Sequence, residues 1–583
     1  MGLRMLKRSL FLPILLLSLC FTLAFGGCNR QTTGPVSTGS SSNTNVLRLL
    51  YWQAPTILNP HLSTGFKDAE AGRITLEPLA SSNSKGQLIP FLAAEIPSKE
   101  NGGLAADGKS VTWKLKQGVK WSDGQPFTAD DVVFTYEFIS NPKTGSTSAG
   151  PYEIVKSVEA VNPHEVKITF KTVNPAPSSL FVGTEGMILP KHLYKDFTGE
   201  KARSAPANLL PVGTGPYKVI QFKPGDTVVY EANGLFREKD KLGFQRIELK
   251  GGGDATSAAR AVLQTGEADY AYNLQVEAPV LKQLETGGKG KLVSEFGSLI
   301  ERIIFNLSNP NKTTSEGERS SVTIPHPFFA DAKVREAFIL AIDRDTISQQ
   351  LYGITGKPTA NFLVQPPEYN SPNTSYKFDL AKAKQLLEAA GWKDTNNDGT
   401  RDKNGVEMKP VFQTSVNPLR QKTQEIIKQN LASIGVGVEL RSIDAGVFFS
   451  SDPANNDTVE KFQADLQMFT TGNNVPDPST YMKTYTCSAI PQKKNNWAGE
   501  NYSRFCDKDY DALWVASTTE LDEKKRQELF IKMNDMLIKN FMVIPLVHRA
   551  DVVGISNRLD GFELTPWDRN TWNIKDWKIK QPT

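Results

Sequence analysis

Alternating apolar and polar positions mark a strand early in the chain. Residues 111–115 read Val-Thr-Trp-Lys-Leu, in which every second side chain is apolar, as in a strand with one buried face. A Ser-Asp-Gly turn at 122–124 follows, and Thr128 then stands three positions before Asp131, which is the spacing of a capping box. The pattern therefore predicts a strand, a turn and a helix that begins after Thr128.

Helical periodicity and short apolar runs alternate through the second half of the chain. A helical pattern begins at Asp379 and stops at Gly391, and another covers about 420–434 before the run Val-Gly-Val-Glu-Leu. A long amphipathic pattern over about 522–539 precedes the apolar segment 543–547. Strands that alternate with helices predict an α/β protein.

The N-terminus has the order of a secretory signal, with basic residues before an apolar run over 10–25 and two glycines before Cys28. The run is shorter than a membrane span needs, although an uncleaved transmembrane helix is the alternative. A Cys after two glycines resembles the bacterial lipobox, in which that Cys is acylated, and Phe25 departs from the smaller aliphatic residue typical there. We expect a signal peptide over 1–27 and a lipid anchor at Cys28.

A stretch rich in Gly, Ser, Thr and Asn follows Cys28 as far as residue 45. Such a composition predicts flexible coil without a packed core. We therefore expect segment 28–45 to be a tether. The protein would be exported and held on the periplasmic side of the cytoplasmic membrane or at the cell surface.

Composition and charge limit the remaining classes of function. A chain of 583 residues exceeds one core, and 39% hydrophobic with 22% charged residues is typical of a soluble globular protein. Removal of Arg4, Lys7 and Arg8 with the signal leaves 64 basic and 63 acidic residues. A chain so nearly neutral has no electrostatic attraction to nucleic acid, and we expect no such partner.

The expected folded body keeps two cysteines, Cys487 and Cys506. A pair so close in an exported chain predicts a disulfide. Two free buried thiols are the alternative. A zinc pair has less support, because neither CxxC spacing nor a neighbouring His is present.

One long segment and several shorter ones carry a family resemblance. Residues 107–138 read D-G-K-S-V-T-W-K-L-K-Q-G-V-K-W-S-D-G-Q-P-F-T-A-D-D-V-V-F-T-Y-E-F. This segment resembles the signature of the extracellular solute-binding proteins, family 5, of peptide-type ABC importers. Further segments follow in that family's order: A-P-T-I-L-N-P at 54–60, P-V-G-T-G-P-Y at 211–217, R-I-I-F-N at 302–306 and V-R-E-A-F-I-L-A-I-D-R at 334–344. The cysteine pair, followed closely by Asp511, is most similar to that of the dipeptide-binding branch, where a comparable pair is disulfide-bonded, and the chain as a whole most resembles the dipeptide/oligopeptide branch.

The resemblance implies a two-lobed α/β fold of the periplasmic-binding-protein, or Venus-flytrap, type. The first lobe would contain an extra subdomain, and two crossover strands would form the hinge. We place the first lobe at 46–303 with a C-terminal return at 545–583, and the second lobe at 304–544. The crossovers are expected at 302–306 and 543–547, with ordinary core strands of one lobe as the alternative.

The resemblance also implies the function. Such proteins are not enzymes and need no cofactor; they close on a solute and deliver it to a membrane permease that an ATPase subunit powers. We expect a peptide ligand and a monomeric protein. One alternative is a non-peptide solute, such as a metal chelate, haem, an oligosaccharide or an opine, and another is an exported hydrolase, although neither HExxH nor GxSxG occurs.

One segment near residue 477 is the candidate to bind the ammonium group of a peptide ligand. In peptide-binding relatives an Asp shortly before an Asp-Pro pair receives it. Here the pair is Asp477-Pro478, and the upstream position falls on Asn473 or Asn474, which carry no charge. Either Asp477 binds the ammonium group or the ligand lacks a free α-amino group, and a plain turn is the alternative.

Aromatic residues are the second candidate set for the ligand site. Relatives place aromatic side chains in the cleft, so we expect Trp52, Trp497 and Tyr502 to line it. Ordinary core packing is the alternative for each. The many Lys and Arg residues offer no basis for choosing a partner for a ligand carboxylate.

An acidic loop resembles part of a calcium site. Asp394, Asn396, Asp398 and Asp402 match the first nine positions of a calcium-binding loop. The twelfth position is Gly405 in place of the bidentate Glu. We therefore predict that the protein binds no metal, and this loop is the one candidate for a metal site.

Overall fold

The computed structural model describes residues 45–473 and 475–581. The expected signal peptide, the lipid anchor at Cys28 and the tether lie outside the described residues, and so does Asn474. Within the described ranges, no helix is both long enough and apolar enough to cross a membrane.

Strands of the described residues form two large sheets and several small ones. In chain order they are β1 (Val46–Tyr51), β2 (Ala80–Ser82), β3 (Leu88–Pro90), β4 (Ser110–Lys114), β5 (Val155–Asn162), β6 (Glu165–Phe170), β7 (Tyr217–Lys223), β8 (Thr227–Ala232), β9 (Arg246–Gly251), β10 (Tyr270–Ala271), β11 (Gly290–Glu295), β12 (Ile300–Phe305), β13 (Gly356–Pro358), β14 (Asp402–Lys403), β15 (Val406–Glu407), β16 (Val411–Ser415), β17 (Glu439–Ile443), β18 (Leu466–Thr471), β19 (Val543–Arg549), β20 (Asp551–Ser556), β21 (Leu559–Asp560) and β22 (Lys578–Ile579).

Helices cover the faces of these sheets. In chain order they are α1 (Phe66–Arg73), α2 (Ala129–Ser140), α3 (Lys191–Tyr194), α4 (Ala255–Arg260), α5 (Ala278–Glu285), α6 (Ala332–Leu340), α7 (Arg344–Ile347), α8 (Leu380–Ala389), α9 (Pro418–Ala432), α10 (Ala445–Phe448), α11 (Ser479–Lys483), α12 (Lys508–Ser517) and α13 (Glu523–Lys539).

The first large sheet has the order β11-β20-β10-β1-β9-β8-β7. Its central strand β1 pairs in parallel with β9 and β10. Leu47, Leu49 and Tyr51 of β1 are buried in a core with Tyr270 and Trp577. Because β20 follows residue 550, the C-terminal part of the chain returns to this first sheet.

The second large sheet has the order β13-β19-β12-β18-β16-β17. All residues of β12 are buried, and Ile303 belongs to one hydrophobic core while Ile304 belongs to another. A strand covered on both faces needs apolar side chains in succession, which explains the unbroken Ile-Ile-Phe run. Each large sheet thus has its own core, and the body consists of two lobes.

The chain passes between the two sheets twice. Residues 296–299 connect β11 to β12, and Ala550 alone connects β19 to β20. The strands β12 and β19 are antiparallel neighbours, so the two connections lie side by side as a two-strand hinge. The segments predicted as crossovers, 302–306 and 543–547, lie almost wholly inside β12 and β19, because an apolar run does not distinguish a paired strand from its connection.

The extra subdomain lies between β1 and β7 in the chain. Its three-stranded sheet has the order β4-β6-β5, and α2 packs against it. The predicted strand and capping box are confirmed, since β4 spans Ser110–Lys114 and the Thr128 N–H donates to Asp131 Oδ2 at 2.9 Å.

Two predicted boundaries move in the structure. Helix α9 begins at Pro418 because the Asn417 side chain caps it by accepting from the Arg420 N–H. Strand β17 begins later than the Val-Gly-Val-Glu-Leu run, at Glu439. Val436 and Val438 are buried in the core before pairing with β16 starts, so their apolar character reflects packing and not strand structure.

Candidate ligand-binding site between the lobes

A central cavity of about 120 Å³ lies between the two lobes. Residues from both lobes line it. The wall from the first lobe includes Ser63, Thr64, Phe66, Thr147, Glu185 and Arg569, and the wall from the second lobe includes Phe469, Asn473, Tyr481, Glu500 and Tyr502.

Contacts on both sides of the cavity hold the lobes together. Near the start of α1, Thr64 Oγ1 donates to the Phe449 carbonyl at 3.0 Å. On the side of the extra subdomain, Lys483 Nζ donates to the Gly150 carbonyl at 2.9 Å and pairs with Glu153 at 2.6 Å. The structure therefore describes a form in which the cleft is closed over the cavity.

Two of the expected ligand-binding residues line this cavity, namely Asn473 and Tyr502. The Tyr502 ring is buried and meets Phe469 edge-on, with 5.7 Å between the ring centroids. The Asn473 carbonyl accepts from Ser298 Oγ at 2.7 Å, while its buried side-chain Nδ2 has no acceptor among the described residues. A buried amide donor without an acceptor is costly, so this N–H is suited to a polar group of the ligand.

Asp477 lies elsewhere. Its carboxylate forms a bidentate ion pair with Arg526 of α13 and accepts from the Ser479 N–H at 3.0 Å. Burial alone would raise the pKa of Asp477, but the Arg526 guanidinium outweighs it and holds that pKa below its ordinary range. Asp477 lines neither the central cavity nor the side cavity described below, and Arg526 already neutralises its charge.

The two expected tryptophans also lie outside the cavity wall. Trp52 follows β1 and is buried in the core between α4 and β20, where its indole N–H donates to the Asn273 carbonyl at 2.9 Å. Trp497 is half-buried, and Lys461 Nζ lies 5.5 Å from the centre of its ring. The core-packing alternative thus describes Trp52.

The acidic loop is a hydrogen-bonded turn. Asp394 accepts from the N–H groups of Asp398 and Gly399, and Asp398 accepts from the Thr400 N–H at 2.8 Å. Throughout 45–473 and 475–581, no group of three or more acidic, His or Cys side chains is arranged to hold a metal ion. The geometry does not support the calcium interpretation of this loop.

Cys487 and Cys506 are joined by a disulfide. The loop that it closes contains both Glu500 and Tyr502. At one end, the Cys487 N–H donates to Asp511 Oδ1 at 2.9 Å, which attaches the loop to α12. The covalent link therefore restrains the segment that supplies two residues of the cavity wall.

Sequence reasoning did not identify Glu500. Its side chain is exposed to the cleft, with protein on both sides. Partial dehydration raises the pKa of Glu500 to about 7, the Glu185 carboxylate adds to the rise, and Arg302 and Lys483 oppose it. No sequence signal singles Glu500 out except that it stands two positions before Tyr502.

Arg302 is a second residue that the sequence did not single out, since it stood there only as the first residue of the family segment R-I-I-F-N. Its guanidinium is buried behind the cavity wall, 4.8 Å from the centre of the Phe469 ring and 5.1 Å from that of Phe362. Nε and Nη1 have no acceptor among the described residues. Charged residues at the start of the apolar Ile-Ile-Phe run were the signal that could have indicated it.

A side cavity of about 470 Å³ adjoins the central one. The two share four lining residues, Thr147, Glu185, Thr480 and Glu500. Ligand pockets are usually about 300–1,000 Å³, so the central cavity alone is small and the side cavity provides most of the room.

A polar and aromatic cavity, enclosed by two lobes on a two-strand hinge, defines a two-lobed solute-binding protein. The chain belongs to the bacterial extracellular solute-binding proteins, family 5, whose sequence pattern matches residues 87–492. This is a family of binding proteins and not of enzymes.

Individual relatives extend the similarity to most of the chain. The chain is 27% identical over 536 residues to the oligopeptide-binding protein AppA of Bacillus subtilis strain 168, covering 90% of this chain and 89% of that protein. It is 25% identical over 550 residues to a dipeptide-binding protein of Pseudomonas aeruginosa, covering 89% and 92%.

Solved structures share the fold. The oligopeptide-binding protein of Thermus thermophilus complexed with a pentapeptide superposes with a TM-score of 0.79 at 20% identity, covering 92% of this chain and 96% of that one. NikZ of Campylobacter jejuni in complex with Ni(L-His) superposes with a TM-score of 0.76 at 26% identity, covering 92% and 99%. Since one fold accommodates both ligands, the fold alone does not select a solute.

Proposed function

We propose that this protein captures peptides for an ABC importer and delivers them to a membrane permease powered by an ATPase subunit. The observation that carries the proposal is a run of consecutive residues on the cavity wall. Residues 470–473, at the end of β18, line the cavity consecutively. An extended peptide offers N–H and C=O groups to such a run, in the manner of an added strand, and side chains are then only loosely restricted.

The relatives support the same ligand. AppA is named as an oligopeptide-binding protein and the Pseudomonas aeruginosa relative as a dipeptide-binding protein. The side cavity supports a ligand longer than one residue, because its volume exceeds that of the central cavity.

Capture would close the cleft. We assign the first lobe to 46–299 with 550–583 and the second lobe to 300–549, a few residues from the boundaries expected at 303/304 and 544/545, because β12 and β19 both belong to the second sheet. Binding would favour the closed arrangement of the two lobes. A solute shifts such an equilibrium only as far as it binds the closed form better than the open one. Small-angle scattering should show a smaller radius of gyration after a bound peptide is added to stripped protein.

The protein would act as an exported, lipid-anchored monomer. The signal-like segment 1–27 followed by Cys28 supports export and acylation. Mass spectrometry of detergent-extracted protein should give an acylated Cys28 as the first residue, and Cys28→Ser should release the protein into the soluble fraction.

A metal chelate is the second candidate ligand, favoured by the similarity to NikZ with Ni(L-His). His61 is adjacent in sequence to Pro60 of the cavity wall, but both of its ring nitrogens are occupied, by Ser148 at 2.9 Å and by the Met187 carbonyl at 2.8 Å. A nickel chelate would therefore have to bring its own nitrogen ligands.

Mass spectrometry of material released from the purified, denatured protein separates these candidates. A mixture of peptides is the result expected. Nickel with a single small chelator would support the second candidate, and a single non-peptide organic solute would contradict both.

A further inference from the structure

Two acidic residues, one from each lobe, line the region where the central and side cavities meet. Glu185 belongs to a short turn of the first lobe, and Glu500 belongs to the disulfide-closed loop of the second lobe. Both residues line both cavities. A ligand that extends from one cavity into the other would therefore lie near both residues.

The Glu500 charge is not neutralised by a contact within the described part of the chain, where its carboxylate makes no hydrogen bond and no ion pair. Two cations act on it from a distance. Lys483 donates to Gly150 and pairs with Glu153, while Arg302 is stacked behind Phe469. Neither cation donates a hydrogen bond to Glu500. The Glu500 carboxylate, which lines both cavities, is therefore left for a group of the ligand to pair with.

A second polar group on the same wall also lacks a partner. The Asn473 side chain is 2% exposed, lines the central cavity and has no acceptor for Nδ2 among the described residues. A ligand that provides a carbonyl to Asn473 and a cation to Glu500 would satisfy both groups at once.

We propose that the solute carries a positively charged nitrogen group and that this group binds between Glu500 and Glu185. The inference rests on the proposed function and names the charge that the captured ligand must have. Like charges on opposite lobes repel each other when the cleft closes, and a cation between them converts that repulsion into attraction. The ligand's charge would therefore link binding to closure.

The cation has two chemical sources in a peptide, the α-ammonium group and a basic side chain. Four synthetic tetrapeptide pools of random sequence separate them. The first has free N-termini and contains Lys and Arg, the second is N-acetylated and contains them, the third has free N-termini without Lys, Arg or His, and the fourth is N-acetylated without these residues. The readout is the amount of each pool that the full-length protein retains after gel filtration at pH 8.

The wild-type protein should retain the first pool at least about tenfold more than the fourth, which is the scale of one charge-assisted hydrogen bond. Preference for the second pool assigns the basic side chain, and preference for the third assigns the α-ammonium group. Glu500→Gln keeps the size of the side chain and should remove most of the preference. Glu425→Gln, on the exposed face of α9, is the matched control and should retain it.

The preference should also depend on pH. Above pH 7 Glu500 is ionised and binds the cation, and as the pH falls through 7 the carboxyl takes up a proton and the preference is lost. The charged and titratable groups that act on Glu500 are Glu185, Glu460, Arg302, Lys483, Tyr481 and Tyr502. Because the pKa of Glu460 is also raised to about 7, the pH effect is assigned to Glu500 only if Glu500→Gln abolishes it.

Two results would overturn the proposal in different ways. Equal retention of all four pools, unchanged in Glu500→Gln, would leave the peptide function intact and refute the role of charge. Retention of no pool would refute the peptide function, and the cation proposal would fall with it.

Discussion

Two acidic segments of the second lobe have the same chemistry and different surroundings. At the first, Asp477 forms a bidentate ion pair with Arg526, and its pKa is held below the ordinary range. At the second, Glu500 has no ion-pair partner among the described residues, and the pKa of this carboxyl is raised to about 7. The first carboxylate stabilises the fold, whereas the second is available to a ligand.

The difference comes from one cation supplied by a distant part of the chain. Arg526 is on α13, which packs against α11 and α12 and so reaches Asp477. Glu500 faces the cleft, where the opposite wall provides the Glu185 carboxylate. The Asp of an Asp-Pro pair therefore does not by itself indicate a ligand-binding carboxylate, because a distant residue such as Arg526 can already be paired with it.

The largest expected effect comes from opening the loop that carries Glu500. The double variant Cys487→Ser with Cys506→Ser should lower the free energy of unfolding by about 3 kcal/mol, because the disulfide restricts the unfolded chain. Peptide affinity should fall as well, since Glu500 and Tyr502 lie inside the loop. Denaturant unfolding and calorimetric binding measure the two effects, and a double variant as stable as wild type would show that the link does not restrain this segment.

The ion pair at the first segment gives the next largest effect. Asp477→Ala leaves the Arg526 charge largely buried and unpaired, and should cost about 2 kcal/mol of stability, a value reduced from that of a fully buried pair because both side chains are partly exposed. The preference for cationic peptides should remain.

The matched control for Asp477→Ala is a half-exposed pair, Glu407 with Lys409. Glu407→Ala should cost less than about 1 kcal/mol. If Asp477→Ala abolished the preference for cationic peptides while the protein stayed folded, the contrast drawn between the two segments would be wrong.

The two-lobed fold was predictable from the family resemblance centred on residues 107–138. Local signals alone specified single elements, such as the helix after the capping box at Thr128 and Asp131, but did not distinguish the strand β12 from a crossover. The site was less predictable. Asn473 and Tyr502 were found through the resemblance, but the roles of Trp52 and Asp477 depend on partners that distant segments supply, the Asn273 carbonyl and Arg526. The role of Glu500 depends on its place in a cavity that only the folded chain forms.

A third carboxylate tests what burial without an ion pair does. Glu460 is 3% exposed, and burial raises its pKa to about 7. The native state therefore binds more protons than the unfolded state between about pH 4.5 and 7, so stability falls as the pH rises through that range and stays lower above it. At pH 8, Glu460→Gln should be more stable than wild type by about 1 kcal/mol or more, with no gain near pH 4.5.

Thermal unfolding at these two pH values measures the effect of Glu460. An equal gain at both would show that the added stability comes from packing or hydrogen bonding and not from removal of a titrating group.

The smallest effect is expected at Trp497, which lies near Glu500 in sequence but outside the cavity wall. Trp497→Ala should change peptide affinity by less than about 0.5 kcal/mol, as for a substitution away from the site. Tyr502→Ala is the comparison, because its ring lines the cavity. Equal losses in calorimetric binding would place Trp497 in the site after all.

A crystal structure of the protein with the peptides it retains is the most direct test of whether a ligand cation binds at Glu500. A ligand nitrogen should lie within hydrogen-bonding distance of Glu500, with Asp477 still paired to Arg526. A ligand ammonium group on Asp477, with Arg526 displaced and Glu500 away from the ligand, would contradict it.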